Sequence, residues 1–140
     1  MKARGFVVIV VLLVCSAANA DWHTAKKRCI FPYFQNGGNC VTIMVFVNSS
    51  EETADTLYIR FEEAHPPVPQ KTWTFQLAPR DMFVASTSPG IGEWLGVVSS
   101  WGYVMWRGEE GDSLRGICAI YNFASGSGFI VPSYDQDHGF

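Results

Sequence analysis

Residues Ile30–Ser50 read IFPYFQNGGNCVTIMVFVNSS. The stretch holds two apolar runs, a Gly37-Gly38 break between them and an Asn48-Ser49-Ser50 stop. Gln35-Asn36-Gly37-Gly38-Asn39 supplies residues that tolerate positive φ, so the chain can reverse there. Cys40–Val47 is apolar at nearly every position, the pattern of a strand covered on both faces or at a crowded centre. Between Ile30 and Ser50 there is no acid, no base and no histidine, whereas a site built for chemistry gathers ionisable groups. The stretch is therefore expected to be a structural β-hairpin whose second strand sits in the core.

The rest of the chain repeats this logic. Thr56–Glu62 alternates, with Leu57, Ile59 and Phe61 on one side and Tyr58, Arg60 and Glu62 on the other. Lys71–Leu77 alternates again, with Trp73, Phe75 and Leu77 together. Met82–Ala85, Glu93–Ser99, Gly102–Arg107, Leu114–Asn122 and Phe129–Val131 complete about nine short strands. His65-Pro66-Pro67-Val68-Pro69 interrupts them, because proline has no N–H to give a sheet. No segment has a helical period. The expected fold is all-β: an antiparallel two-sheet β-sandwich of the immunoglobulin-like kind, with a closed β-barrel as the alternative.

The first residues read as an export signal. Lys2 and Arg4 precede the apolar run Phe6–Val14, and Ala18-Asn19-Ala20 is a small-x-small cleavage site. Residues 1–20 are the expected signal peptide, 21–134 one β domain and 135–140 a polar tail. No later run approaches the length of a transmembrane helix. The exported chain carries eight Lys and Arg against thirteen Asp and Glu, a net of −5, which argues against a nucleic-acid partner. Leu12-Leu13-Val14-Cys15 approximates a lipoprotein box, but Val14 is larger than the small residue such a box needs before its cysteine. Export to the periplasm or cell exterior is expected, without lipid at Cys15.

Several of these turns and strand ends resemble a recurring, uncharacterised β-sandwich domain of exported bacterial proteins. The matching residues are Phe31-Pro32 at a strand start, Gly37-Gly38, the strand end Val47-Asn48-Ser49, Asp55-Thr56-Leu57, and Leu77-Ala78-Pro79. Gly116–Tyr121 and Gly128–Pro132 resemble its closing strands. The resemblance implies the sandwich and carries over no catalytic residue. Three cysteines in the exported chain depart from its pattern.

Those cysteines are Cys29, Cys40 and Cys118, an odd number in an oxidising compartment. In a tight hairpin Cys40 would face residues near Phe34. The five residues from Cys29 to Phe34 would then span about 16 Å, too far for a disulfide with Cα atoms roughly 5.5 Å apart. A bridge from Cys118 to Cys40 or Cys29 is expected, with the remaining thiol buried or linking two chains into a dimer. No Cys-x-x-Cys pair points to redox chemistry.

Few constellations carry chemistry. After cleavage at Ala20 the N-terminus would read Asp21-Trp22-His23, whose amine, two backbone nitrogens and imidazole suit square-planar Cu(II) or Ni(II). Asp135-Gln136-Asp137-His138 reads as a solvated tail, and Glu109-Glu110-Gly111-Asp112 as a hairpin tip lacking calcium-loop spacing. Ser125-Gly126-Ser127-Gly128 is no nucleophile elbow. Asn48-Ser49-Ser50 fits an N-glycosylation acceptor. Trp94, Trp101, Tyr103 and Trp106 would form an aromatic platform if exposed together, or fill the core. Tyr103 and Met105 should point opposite to Val104 and Trp106.

The reading is an exported, non-enzymatic β-sandwich, an interaction or structural module at the cell surface or in the periplasm. It would engage a protein partner through a strand edge or an aromatic face. The alternatives are a carbohydrate-binding module that grips surface polysaccharide with the aromatic platform, and a periplasmic Cu(II) or Ni(II) binder. No other cofactor is implied.

Overall fold

The computed structural model describes residues 22–68, 71–97 and 100–136. Ten strands follow in chain order: β1 Lys27–Asn36, β2 Cys40–Asn48, β3 Asp55–His65, β4 Trp73–Leu77, β5 Met82–Ser86, β6 Glu93–Trp94, β7 Ser100–Gly108, β8 Leu114–Asn122, β9 Ser127–Val131 and β10 Tyr134–Asp135. They form two five-stranded sheets, β10-β1-β7-β3-β4 and β6-β5-β2-β8-β9, here called the first and second sheet. All pairs are antiparallel except β5–β6, which is parallel. Neither sheet closes on itself, so the protein is a β-sandwich and not a barrel. Among the described residues no helix is long and apolar enough to cross a membrane.

The expected hairpin between β1 and β2 forms only at its tip. Gly37 and Cys40 exchange both backbone hydrogen bonds at 3.0 Å. Gly38 and Asn39 between them have φ of 61° and 65°, the signature of a type I′ turn. Beyond the tip the strands separate, β1 to pair with β7 and β2 with β5 and β8. Thr42 makes the separation possible. Its hydroxyl accepts from the Gln35 N–H and donates to the Gln35 carbonyl, both at 2.9 Å. Its own N–H and C=O turn instead to the Thr87 hydroxyl and N–H, each at 3.0 Å. One side chain thus replaces a backbone ladder pair and passes the strand to the other sheet. In the constant-type immunoglobulin arrangement the first two strands share a sheet; here they do not.

The core lies between the sheets. Phe31, Phe34, Leu57, Ile59, Val104 and Trp106 face Met44, Phe46, Leu114, Cys118 and Ile120. The Trp106 ring meets Phe46 edge-on at 5.4 Å and Phe31 at 6.0 Å, geometry that adds to the burial of apolar area. Alternation along β3 and β7 works as expected: Tyr103 and Met105 lie opposite to the buried Val104 and Trp106.

Four expectations change. β2 is central in its sheet but only partly covered on its outer face: Met44 and Phe46 lie in the core, while on the other side Val41 is buried, Ile43 and Val45 are half-buried and Val47 is exposed. The strand expected over Glu93–Ser99 stops at Trp94, because Gly92 and Gly96 take φ of 56° and 65° on either side of it; residues 98 and 99 lie outside the described residues. The polar C-terminal segment is not all loose, since Tyr134–Asp135 pairs with Ile30 and Cys29. Finally, among the described residues no disulfide joins Cys29, Cys40 and Cys118. Cys40 pairs with Asn122 and Cys118 with Met44, four positions or about 14 Å along the ladder, well beyond disulfide reach. Cys29 belongs to the opposite sheet, about 10 Å across the sandwich.

Candidate functional site

The four aromatic candidates do not form one platform. Trp106 is 1% exposed in the core, Trp94 is 55% exposed at the edge of the second sheet, and Trp101 is 54% exposed on the first. Only Trp101 and Tyr103 remain neighbours, two residues apart on β7. Asp21 lies outside the described residues. Trp22 is buried on the outer face of the first sheet against Tyr58, Ala25 and Met105. The Arg60 and Arg107 guanidinium carbons stand 4.3 and 4.0 Å from its ring centre, a double cation–π contact. Its carbonyl accepts from Arg107 Nη1 at 2.5 Å. His23 is exposed, and its carbonyl accepts from Arg28. No group of three His, Cys, Asp or Glu side chains able to hold a metal occurs among the described residues.

Asn48 has a structural role that its glycosylation pattern hides. It is fully buried, and its amide nitrogen donates to the carbonyls of Thr53 at 2.8 Å and of Leu77 and Ala78 at 3.2 Å. Its Oδ1 accepts from the Ser50 N–H at 3.0 Å. A glycan cannot join this nitrogen in the folded protein. The same bonds tie Val47-Asn48-Ser49 to Leu77-Ala78-Pro79, two stretches that the sequence marks separately. Asp55 acts likewise at the acidic hairpin tip, accepting from the N–H groups of Thr56 at 2.7 Å and Glu110 at 3.0 Å. Burial pushes the Cys118 thiol up to about 12, so it stays protonated and unreactive.

A cleft of about 200 Å³ opens at one end of the first sheet, lined by Gln35, Asn36, His65, Pro66, Ser100 and Trp101. It exists because both neighbours of β7 are irregular. β1 shifts register between Phe31 and Phe34, and β3 between Glu62 and His65. These bulges bring Gln35 and His65 opposite Trp101 from the two sides. Gly102 permits the second, since a Cβ there would stand 2.8 Å from the Glu62 carbonyl oxygen. The His65 ring lies 5.1 Å from Trp101. Asn36 is held by a 2.6 Å bond to the Val97 carbonyl, Ser100 by one to the Pro66 carbonyl, and Gln35 accepts from the Tyr33 hydroxyl at 2.9 Å. Burial first, then the charges of Glu63 and Glu62, hold the nearby Tyr103 hydroxyl above its ordinary pKa. An exposed indole face framed by planar amides can stack a flat apolar ligand face and bond its rim. A second cleft of about 260 Å³ reaches the Trp106 edge between Lys27, Arg115 and Ser133.

The largest feature is a surface. In register across the outer face of the second sheet stand Met82–Val47–Arg115, Val84–Val45–Ile117, and Trp94–Ser86–Ile43–Ala119–Ile130. Tyr121 follows, with Phe123 edge-on to it at 5.3 Å, while Val41 and Ser86 on the same face are buried. Met82, Ile117 and Ile130 are 63%, 49% and 60% exposed. The five strands of this sheet contain only two charged residues, Glu93 and Arg115. Sequence reasoning concentrated on tryptophans and passed over this aliphatic face, although its signal was the unbroken apolar run of β2.

No family model and no curated protein matches the chain. Among solved structures it is similar to the Thermotoga maritima protein 1070, at 10% identity and a TM-score of 0.47, over 78% of this chain and 90% of that one. A likeness at that level carries no argument about function.

Proposed function

We propose that the protein is an exported, non-enzymatic interaction module that binds an apolar protein surface through the outer face of its second sheet. The supporting observation is the row structure of that face: Met82, Val84, Val45, Val47, Ile117 and Ile130 stand together with a single cation at the margin. A contiguous exposed apolar area of this kind marks an interaction site in stable proteins. A photo-crosslinking residue at position 117, introduced in the native host, should yield adducts of defined mass. The same residue at Thr74, on the outer face of the first sheet, should yield none. Absence of adducts at 117 would remove the proposal.

A second reading, carbohydrate binding, draws on the Trp101 cleft, where Gln35, Asn36 and His65 frame an exposed indole. Retention on insoluble polysaccharide that disappears in Trp101→Ala, with an unchanged circular dichroism spectrum, supports it. Equal retention of both proteins rejects it.

A further inference from the structure

β2 carries a sequence suited to burial on both sides, yet its chain covers the outer side only in part, burying Val41 and leaving Val47 exposed. Ile43, Val45 and Val47 point away from the core, and so do Ile117, Ala119 and Tyr121 of β8. We infer that the missing cover is a second copy of this chain, packed sheet against sheet through the same face. The inference rests on the docking role proposed above for that face.

Three observations favour a second copy. The first is charge: the face presents Arg115 at one corner and no acid within its rows. Two such faces therefore meet without burying opposed charges or leaving an unpaired one inside. A lipid surface would instead favour a rim of lysines and arginines, which these strands lack. The second is shape and area. Five strands span about 19 Å and Arg115 to Phe123 about 27 Å, so the face has at most roughly 500 Å² in plan, because β5, β6 and β9 are shorter than β2 and β8. Two such faces bury about 1,000 Å² together at most, the lower end for a specific contact. β-branched side chains on a pleated surface pack best on another sheet face, as the two sheets already do inside this protein. The third is the placement of the chain ends. Trp22 is clamped on the outer face of the first sheet, and the Gln136 N–H bonds Arg28 at that sheet's edge at 2.8 Å. Both ends of the described chain thus lie against the other sheet. A two-fold arrangement makes the contact self-complementary.

Sedimentation velocity on the purified chain in reductant, at about 50 μM, tests this. The expected result is a dimer that Ile117→Asp dissociates, raising the dissociation constant about 100-fold by burying a charge, with an unchanged circular dichroism spectrum. Met82→Glu, at a 63% exposed position, provides a second variant should Ile117→Asp fail to fold. Thr74→Asp should remain dimeric. A monomer at this concentration, or a dimer that both face variants leave intact, overturns the inference. A monomer that still crosslinks to another protein from position 117 overturns the second copy alone, and loss of all adducts overturns the docking face as well. Retention on neutral phosphatidylcholine vesicles, lost in Ile117→Asp, would replace the second copy with a membrane.

Discussion

The outer faces of the two sheets are built from similar backbones and opposite chemistry. On the first, Tyr58, Arg60 and Glu62 of β3 stand beside Tyr103, Met105 and Arg107 of β7. The N-terminal segment lies over them, with Trp22 between two guanidiniums. On the second, valines and isoleucines stand in rows; the turn after β5 covers Ser86, whose hydroxyl bonds the Ser88 and Ile91 carbonyls, and Met82, Val47, Ile117 and Ile130 stay exposed. The difference teaches how a strand pattern should be read. β3 alternates because one side meets the core and the other meets water and arginine. β2, the central strand of its sheet, does not alternate. Its outer positions Ile43, Val45 and Val47 are as apolar as its core positions, although they are half-buried or exposed.

Variants can break or sharpen that contrast. The largest effect is expected for Trp22→Ala, which strips the cover from the polar face. Loss of a large buried ring and two cation–π contacts should cost about 4 kcal/mol in urea denaturation; an effect below 1 kcal/mol would show that the segment does not pack there in solution. Met44→Ala, on the buried side of β2, should cost about 3 kcal/mol by leaving a cavity. Asn48→Ala leaves the carbonyls of Leu77 and Ala78 without their donor and should cost about 2 kcal/mol. Unchanged stability there would refute its role as a tie between strand ends.

Cys118 predicts a pH effect. Its folded pKa lies above the ordinary thiol value, so the unfolded chain releases its proton first as pH rises. This part of the stability is fully present below about pH 9 and declines from there toward pH 12, by about 1 kcal/mol between pH 8 and pH 10. Cys118→Ala should flatten the decline in melting temperature over that range by the corresponding amount. The smallest effect is expected on the open face: Val47→Thr should change the stability of the dilute protein by less than about 0.5 kcal/mol. A loss near that of Met44→Ala would mean that the face is already covered within one chain.

The period-two pattern of residues 56–62, the turn residues at 36–39 and the proline run after His65 were enough to read an all-β fold from the sequence, with sandwich ahead of barrel. These are local signals, set by how side chains alternate on a strand and which residues tolerate positive φ. The opposed directions of Tyr103 and Trp106 follow from the same alternation. What remained out of reach depends on which strands meet. The type I′ turn at Gly38-Asn39 is a hairpin turn, yet Thr42 diverts its second strand into the other sheet through contacts with Gln35 and Thr87. The Trp101 cleft needs bulges in two strands that flank β7 in space and not in sequence. Trp94, Trp101 and Trp106 are close in the chain but separate to an edge, a cleft and the core. Side-chain periodicity thus determined the class of fold, while non-local pairing alone decided the register, the fate of each cysteine and the location of the apolar face, because those depend on backbone partners that no short stretch encodes.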